Sequence, residues 1–336
     1  MKKLVMSCVA IVGCLSLMFA QGGNEQSGSG SGAASKSYTI NVASTFAPEG
    51  PVHEVMTEFQ KNVQDASSGR IKVVVHPSGA LGGVREVCEG LNAGTIEMGA
   101  IGFEDLTYYA PEYAFFEYPY LIRDLDHYKK VLNEFGPEIF AAAQKKSGII
   151  TSAYFIRGAR AITANKPIVH PADLKGLKFR LPSLPVRVKV FEAFGASPTI
   201  VDFAELYMAL KTGTVDAQEN PPETIYSYKY YETQKYLMLS HHIYTVARYI
   251  TSEKWFNTIS KEDQDMISKA WKDAQDKVSA KYPDPDAVYV QRCKDAGMEI
   301  VEPNNEEFIE IATPVVLEFA KANCAPGWVE KIQNLK

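Results

Sequence analysis

Apolar and polar positions along the chain follow two periods, and the switches between them mark the elements. Tyr38, Ile40 and Val42 alternate with polar neighbours, the two-residue period of a strand with one buried face. Residues 43–48 break that pattern, and Pro51 opens a helix predicted to run to Ala66. Ser68-Gly69-Arg70 turns the chain into a β-branched run at 71–75; a loop at 79–83, a helix over 84–92 and a strand over 96–101 follow. This β-α-β-α-β order with short connections predicts a parallel or mixed sheet covered by helices. Three loops, 43–48, 77–83 and 102–105, then lie beyond the carboxyl ends of its strands, where sheets of this class bind ligands.

The same alternation continues after a helix over 125–146, broken at Gly136-Pro137, and a strand over 148–156. A turn of helix from Pro171 stops at Gly176, a strand covers 177–181, and a helix from Pro185 ends at Gly195. Asp202 and Glu205 are spaced as a capping box heading a helix that stops near Gly213. A short strand over 215–217 precedes a helix opened by Pro221-Pro222, with Asn220 as its N-cap. Strands over 235–240 and 244–252 follow; the second is expected to carry the chain back to the first domain. Ser260 caps a long amphipathic helix through Lys281, Pro283 and Pro285 interrupt it, and the helix resumes at Ala287. A strand over 298–301 and a helix over 306–321 close the chain. The fold class is α/β, with domain I formed by residues 38–157 plus 246–285 and domain II by 158–245 plus 286–336.

Ahead of these elements, Lys2 and Lys3 precede an apolar run to Ala20, the pattern of an export signal over residues 1–20. Two processing readings stand: Ile11-Val12-Gly13-Cys14 matches a lipobox with Cys14 as the lipidated residue, or cleavage follows Ala20. Residues 21–37 are Gly/Ser-rich and predict a flexible tether. Only Cys88, Cys293 and Cys324 remain beyond the leader, too few for a disulfide framework. A Cys293–Cys324 bridge is open to an exported chain, and buried free thiols are the alternative.

The 336 residues, 46% of them hydrophobic, suffice for two cores. The formal charge of −5 excludes a whole-molecule attraction to nucleic acid or anionic lipid, so any anion site must be local. Local candidates exist. Arg160 and Arg180 stand twenty positions apart, one strand-helix-strand step, which predicts adjacent strands facing one cleft. The planar guanidinium fork matches a carboxylate, and Asn220 can offer its amide N–H groups beside it. Glu104 follows the third strand directly, where it is either a pocket residue or a first-turn acid of a helix. Phe203 reads as core by composition. One charge-assisted hydrogen bond contributes roughly 1.5–3 kcal/mol, against about 8 kcal/mol for a micromolar ligand. Several contacts from both domains of a hinged receptor are therefore needed. The chain has no Gly-x-Ser-x-Gly, His-Glu-x-x-His, Cys-x-x-Cys, P-loop or dinucleotide fingerprint, so no catalytic residue, cofactor or metal is assigned. His241-His242 is expected to point to opposite faces of a strand. The rival reading is an exported carboxylate-processing enzyme on the same scaffold.

At these residues the chain resembles the extracytoplasmic solute receptors of tripartite ATP-independent periplasmic (TRAP) transporters, of the dicarboxylate-receptor type. Asp173-Leu174-Lys175-Gly176-Leu177-Lys178-Phe179-Arg180-Leu181-Pro182, Gly195-Ala196-Ser197-Pro198, Glu205-Leu206-Tyr207 and Val215-Asp216-Ala217-Gln218-Glu219-Asn220-Pro221 carry the likeness. It implies a two-domain, hinged periplasmic-binding-protein fold with a long helix spanning both domains, here expected to break at Pro283 and Pro285. It implies a monomeric shuttle for a small carboxylate, a sugar acid or a C4-dicarboxylate-like compound, delivered to one small and one large membrane subunit. On this likeness Arg180 falls on the carboxylate clamp, Arg160 on a second arginine, Asn220 on a cleft asparagine and Phe203 on an aromatic beside the ligand. The loops at 43–46 and 102–104, carrying Ser44 and Glu104, are where members differ by substrate.

Overall fold

The computed structural model describes residues 36–335; the expected export signal, Cys14 and most of the tether lie outside them. Strand β1 (Tyr38–Ser44), helix α1 (Gly50–Ala66), β2 (Ile71–His76), α2 (Val84–Ala93) and β3 (Met98–Ile101) come first. A short helix α3 (Leu106–Tyr109), a 3-10 stretch (Pro111–Glu117) and α4 (Leu125–Ser147) lead to β4 (Ile149–Ala159). Then follow β5 (Ala161–Ala164), β6 (Lys178–Leu181), α5 (Pro185–Ala193), β7 (Ser197–Ile200), α6 (Leu206–Lys211), β8 (Ala217–Asn220), α7 (Pro222–Ser227) and β9 (Tyr236–Met238). The chain closes with β10 (Tyr244–Ser252), α8 (Glu253–Phe256), α9 (Lys261–Lys281), α10 (Pro285–Asp295), β11 (Glu299–Val301), α11 (Asn305–Asn323) and α12 (Trp328–Asn334).

The strands form two sheets. The first has the order β2-β1-β3-β10-β4 and the second β11-β9-β5-β8-β6-β7. In the first, β1 pairs in parallel with β2 and β3, while β10 runs antiparallel between β3 and β4. Its core is built by β-branched strand residues against α1 and α9, where Phe59 stacks on Trp271 at 3.7 Å between ring centroids. A second core joins α4, β6, α5, α11 and α12. The segments that run from one sheet to the other lie together. β4 passes into β5 through Arg160, β9 returns into β10 through residues 239–243, and the Arg160 amide donates to Ile243 O at 2.8 Å.

A bulge closes the end of β4. Thr245 faces Gly158 and Val246 faces Ile156, so Arg157 is the extra residue. Gly158 has φ +90°, a left-handed conformation that L side chains rarely adopt. A Cβ there would also lie 2.1 Å from Asp286 Oδ1. Helix α9 ends at Lys281, and α10 starts three residues later at Pro285, capped by Asp284, which accepts from the Ala287 amide at 3.0 Å. The long helix is thus interrupted where its two prolines withhold backbone donors.

Several local expectations are corrected. α4 runs unbroken through Pro137, held on both sides of it by buried Val131, Leu132, Ile139 and Ala143. Arg160 and Arg180 are not on adjacent strands: β8 inserts between β5 and β6, antiparallel to one and parallel to the other. Asn220 is the last residue of β8 rather than the cap of α7. Asp202 makes no side-chain cap, because a 3-10 turn (Phe203–Glu205) intervenes before α6. His241 and His242 lie in the segment between β9 and β10, not in a strand. Cys88, Cys293 and Cys324 are free thiols, so the Cys293–Cys324 bridge is not formed. Among the described residues no helix is long and apolar enough to cross a membrane.

Candidate functional site

The insertion of β8 between β5 and β6 places a run of three buried polar residues, Gln218, Glu219 and Asn220, at the centre of the second sheet. Glu219 is fully buried and collects three partners. Arg160 donates to it from Nε, and from Nη2 to Oε1 at 3.0 Å; Arg187 Nη1 donates to Oε1 at 3.0 Å. His242 Nε2 meets Oε2 at 3.0 Å. A carboxylate only accepts, so His242 carries its proton on Nε2 and its Nδ1 accepts from the Ser240 hydroxyl at 2.8 Å. Burial pushes the His242 pKa down, against the pull of Glu219, which keeps the ring neutral. Burial by itself would raise the Glu219 carboxyl; Arg160, Arg187 and His242 overcome it and hold the group well below the usual carboxylate range.

Arg187 reaches on to Glu117 in the 3-10 stretch before α4. Burial raises Glu117 to about 7, with Arg187 pulling it down and Glu104 pushing it up. The cluster therefore joins three arginines, Arg160, Arg180 and Arg187, to one firmly ionised acid and one that titrates near neutrality. Its balance is positive, which favours an anion.

Within it the arginines differ. Arg157, Arg160, Arg187 and Arg248 are buried and each meets a carboxylate, on Glu223, Glu219, Glu117 with Glu219, and Asp105 respectively. Arg180 is 3% exposed and meets none among the described residues. Its Nε donates to Val201 O at 2.9 Å, and its guanidinium carbon stands 6.0 Å from the Phe203 ring centroid. Burial lowers its pKa to about 10, Glu219 opposing, so it stays charged at neutral pH. Nη1 and Nη2 hold no partner among the described residues, a fork of the shape a carboxylate accepts.

Asn220 stands beside this fork. Its Oδ1 accepts from Arg160 Nη2 at 3.0 Å and its Nδ2 donates to Gln218 Oε1 at 2.6 Å, which leaves one amide N–H to donate. Phe203 is half-buried and packs edge-on against Tyr228 at 4.8 Å; Tyr228 Oη donates to Thr45 O at 2.8 Å. Arg180, Phe203, Tyr228 and the loop after β1 thus form one continuous run across the two sheets' carboxyl ends. Ser44 is buried, and its hydroxyl accepts from the Phe46 amide at 3.1 Å, closing the turn after β1. Glu104 is half-buried beyond β3. Its Oε2 is buried with no hydrogen-bond partner among the described residues.

Glu219, Glu117, Arg187 and His242 were not anticipated from the sequence. Signals existed for three of them. Glu117 is an acid inside an aromatic run, Phe115-Phe116-Glu117-Tyr118, and Gln218-Glu219-Asn220 is a polar run next to a strand. Arg187 is a cation in the first turn of α5, where the helix dipole disfavours it.

Comparisons with known proteins agree with this arrangement. The family model "Bacterial extracellular solute-binding protein, family 7" matches residues 42–323. A 2,3-diketo-L-gulonate-binding periplasmic protein of Escherichia coli is 31% identical over 251 residues, covering 74% of this chain and 76% of that protein. A TRAP periplasmic solute-binding protein of Polaromonas, solved with D-erythronate, superposes with a TM-score of 0.82 at 31% identity, covering 89% of this chain and 99% of the other. One from Sulfurospirillum deleyianum, solved with succinate, gives 0.84 at 29% identity, covering 90% and 100%. The chain belongs to family 7 of the bacterial extracellular solute-binding proteins, the extracytoplasmic receptors of TRAP transporters.

Proposed function

We propose that this receptor binds a small organic carboxylate between its two sheets, with Arg180 as the primary anion receptor. One observation carries the reading: Arg180 is buried and charged, yet has no acidic partner among the described residues, while the other buried arginines are each neutralised. A buried cation without a counterion is costly, and a bound carboxylate offsets that cost. Arg160 lies beside it with Nη1 uncommitted, but Glu219 neutralises its charge, so Arg160 contributes a hydrogen bond and rigidity rather than net attraction. Asn220 supplies its remaining amide N–H, Phe203 an apolar wall, and Ser44 and Glu104 the opposite side. Relatives solved with erythronate and with succinate support the ligand class.

The two halves of the receptor are residues 38–157 plus 246–285 and residues 158–245 plus 286–336, hinged where the chain passes between the sheets. The leader at 1–20 exports the protein, with Cys14 as a lipid anchor if the lipobox is used. The ligand passes to the small and large membrane subunits of the transporter. Calorimetric titration with a panel of organic and sugar acids tests the reading. A bound acid is also expected to raise the melting temperature, since it binds only the folded state. Binding by wild type and its loss in Arg180→Ala are expected; an acid that binds the variant with unchanged affinity refutes the role of Arg180.

A further inference from the structure

The far end of the site, across from Arg180, is built around an acid. Glu104 follows the last residue of β3 by three positions, and its carboxylate is folded back over Gly102. A Cβ at Gly102 would lie 2.1 Å from Glu104 Oε2 and 2.9 Å from Oε1, so position 102 admits glycine only while the carboxylate stays there. The next residue is pinned. Asp105 is buried and accepts from Arg248 Nη1 at 2.6 Å. The Arg248 guanidinium lies between the Phe103 and Phe140 rings, 5.4 and 5.5 Å from their centroids, and donates to Thr151 Oγ1 at 2.8 Å. Thr107 Oγ1 closes the turn onto Glu104 O at 2.6 Å.

Glu104 acts electrostatically on both Glu117 and Arg187, and Arg187 in turn acts on Arg180. The acid and the unpaired arginine therefore border the same cluster from opposite sides. Glu104 Oε2 is buried and accepts from nothing among the described residues. A carboxylate oxygen can only accept, so the partner that suits it is a donor. A ligand hydroxyl donates; a second ligand carboxylate cannot, and would add like-charge repulsion at short range.

We propose that Glu104 is the specificity-determining residue of this receptor. It selects a monocarboxylate whose far end carries hydroxyl groups and rejects a second carboxylate, and Asp105 and Arg248 are the positioning residues that hold it in place. The inference rests on the reading of Arg180 as the carboxylate receptor and deepens it to a ligand class. Repulsion of the wrong ligand, rather than extra attraction for the right one, supplies much of such discrimination.

Matched acids that differ only at the far terminus test this: D-erythronate against meso-tartrate, and D-galactonate against galactarate, titrated calorimetrically. Wild type is expected to prefer the monocarboxylate of the better-bound pair by at least about tenfold. Glu104→Gln removes the charge and is expected to narrow that ratio about tenfold or more, chiefly by admitting the dicarboxylate. Gly102→Ala keeps every charge but displaces the Glu104 carboxylate, and is expected to narrow the ratio in the same direction. Circular dichroism and melting of each variant separate loss of fold from loss of selectivity. A wild type that binds the dicarboxylate equally well or better overturns the inference, as does a ratio unchanged in Glu104→Gln. Tighter binding of γ-aminobutyrate than of any hydroxy acid overturns it too, by making an ammonium the donor. Failure of every acid to bind wild type, or binding untouched in Arg180→Ala, would instead sink the receptor reading beneath it.

Discussion

Asp286→Asn is expected to make the joint between the two sheets insensitive to pH. Asp286 lies in the first turn of α10, directly after the proline break, and its Oδ2 accepts from the Ala159 amide at 2.8 Å. Its Oδ1 is buried with no partner among the described residues and sits against Gly158. Burial raises its pKa from 3.8 to about 7, with Asp284 adding to the rise and the Ala159 amide and Arg157 opposing it. A raised carboxyl stabilises the fold fully below its unfolded pKa, and that contribution disappears as pH rises through the folded pKa. The window therefore runs from about pH 4 to about pH 7. A shift of roughly three units at about 1.4 kcal/mol each amounts to about 4 kcal/mol lost by wild type across it. Asparagine keeps the acceptor for Ala159 and cannot ionise, so whatever its amide costs is the same at both ends of the window. Urea unfolding of both proteins at about pH 4.5 and about pH 8 measures the difference. The variant should gain on wild type by roughly 3–4 kcal/mol between the two conditions. A gap between the proteins that is the same at both pH values would refute the argument, whatever its absolute size.

Other changes have equally definite outcomes. Glu219→Gln leaves Arg160 and Arg187 buried beside a neutral amide and is expected to cost about 3–5 kcal/mol in denaturant unfolding, with weakened acid binding. Arg180→Lys retains the charge but loses the two-pronged fork; a loss of roughly 1.5–3 kcal/mol in binding, about 10- to 150-fold, is expected by calorimetry. Trp271→Ala removes the ring stacked on Phe59 and Tyr249 beneath the first sheet and should destabilise by about 3–5 kcal/mol, with ligand affinity at the folded receptor unchanged.

Much of the fold was legible in the chain because period and punctuation are local. The alternation of Tyr38, Ile40 and Val42, the glycine stops at Gly176, Gly195 and Gly213, and the Ser260 cap each act within a few residues of themselves. The break at Pro283 and Pro285 is equally local, since a proline withholds its donor in any context. Pro137 shows the limit: the same residue type is overridden when apolar neighbours on both sides bury the helix against the core. Residue type likewise singled out Arg160, Arg180 and Asn220, because guanidinium and amide groups at strand ends suit a carboxylate.

What those residues do was decided by strand order, which no local pattern encodes. Spacing placed Arg160 and Arg180 on neighbouring strands; the fold set β8 between them and brought Glu219 to Arg160 while leaving Arg180 unpaired. Two arginines alike in sequence thus acquired different charges in effect, one neutralised and one open to an anion. The same holds across the two sheets. Glu117, Arg187 and His242 are far from Glu219 in the chain, and only packing turned them into one charge cluster. By itself the sequence determined the elements and the chemistry available; tertiary structure decided which charges cancel, because electrostatic pairing depends on distance and burial, not on order along the chain.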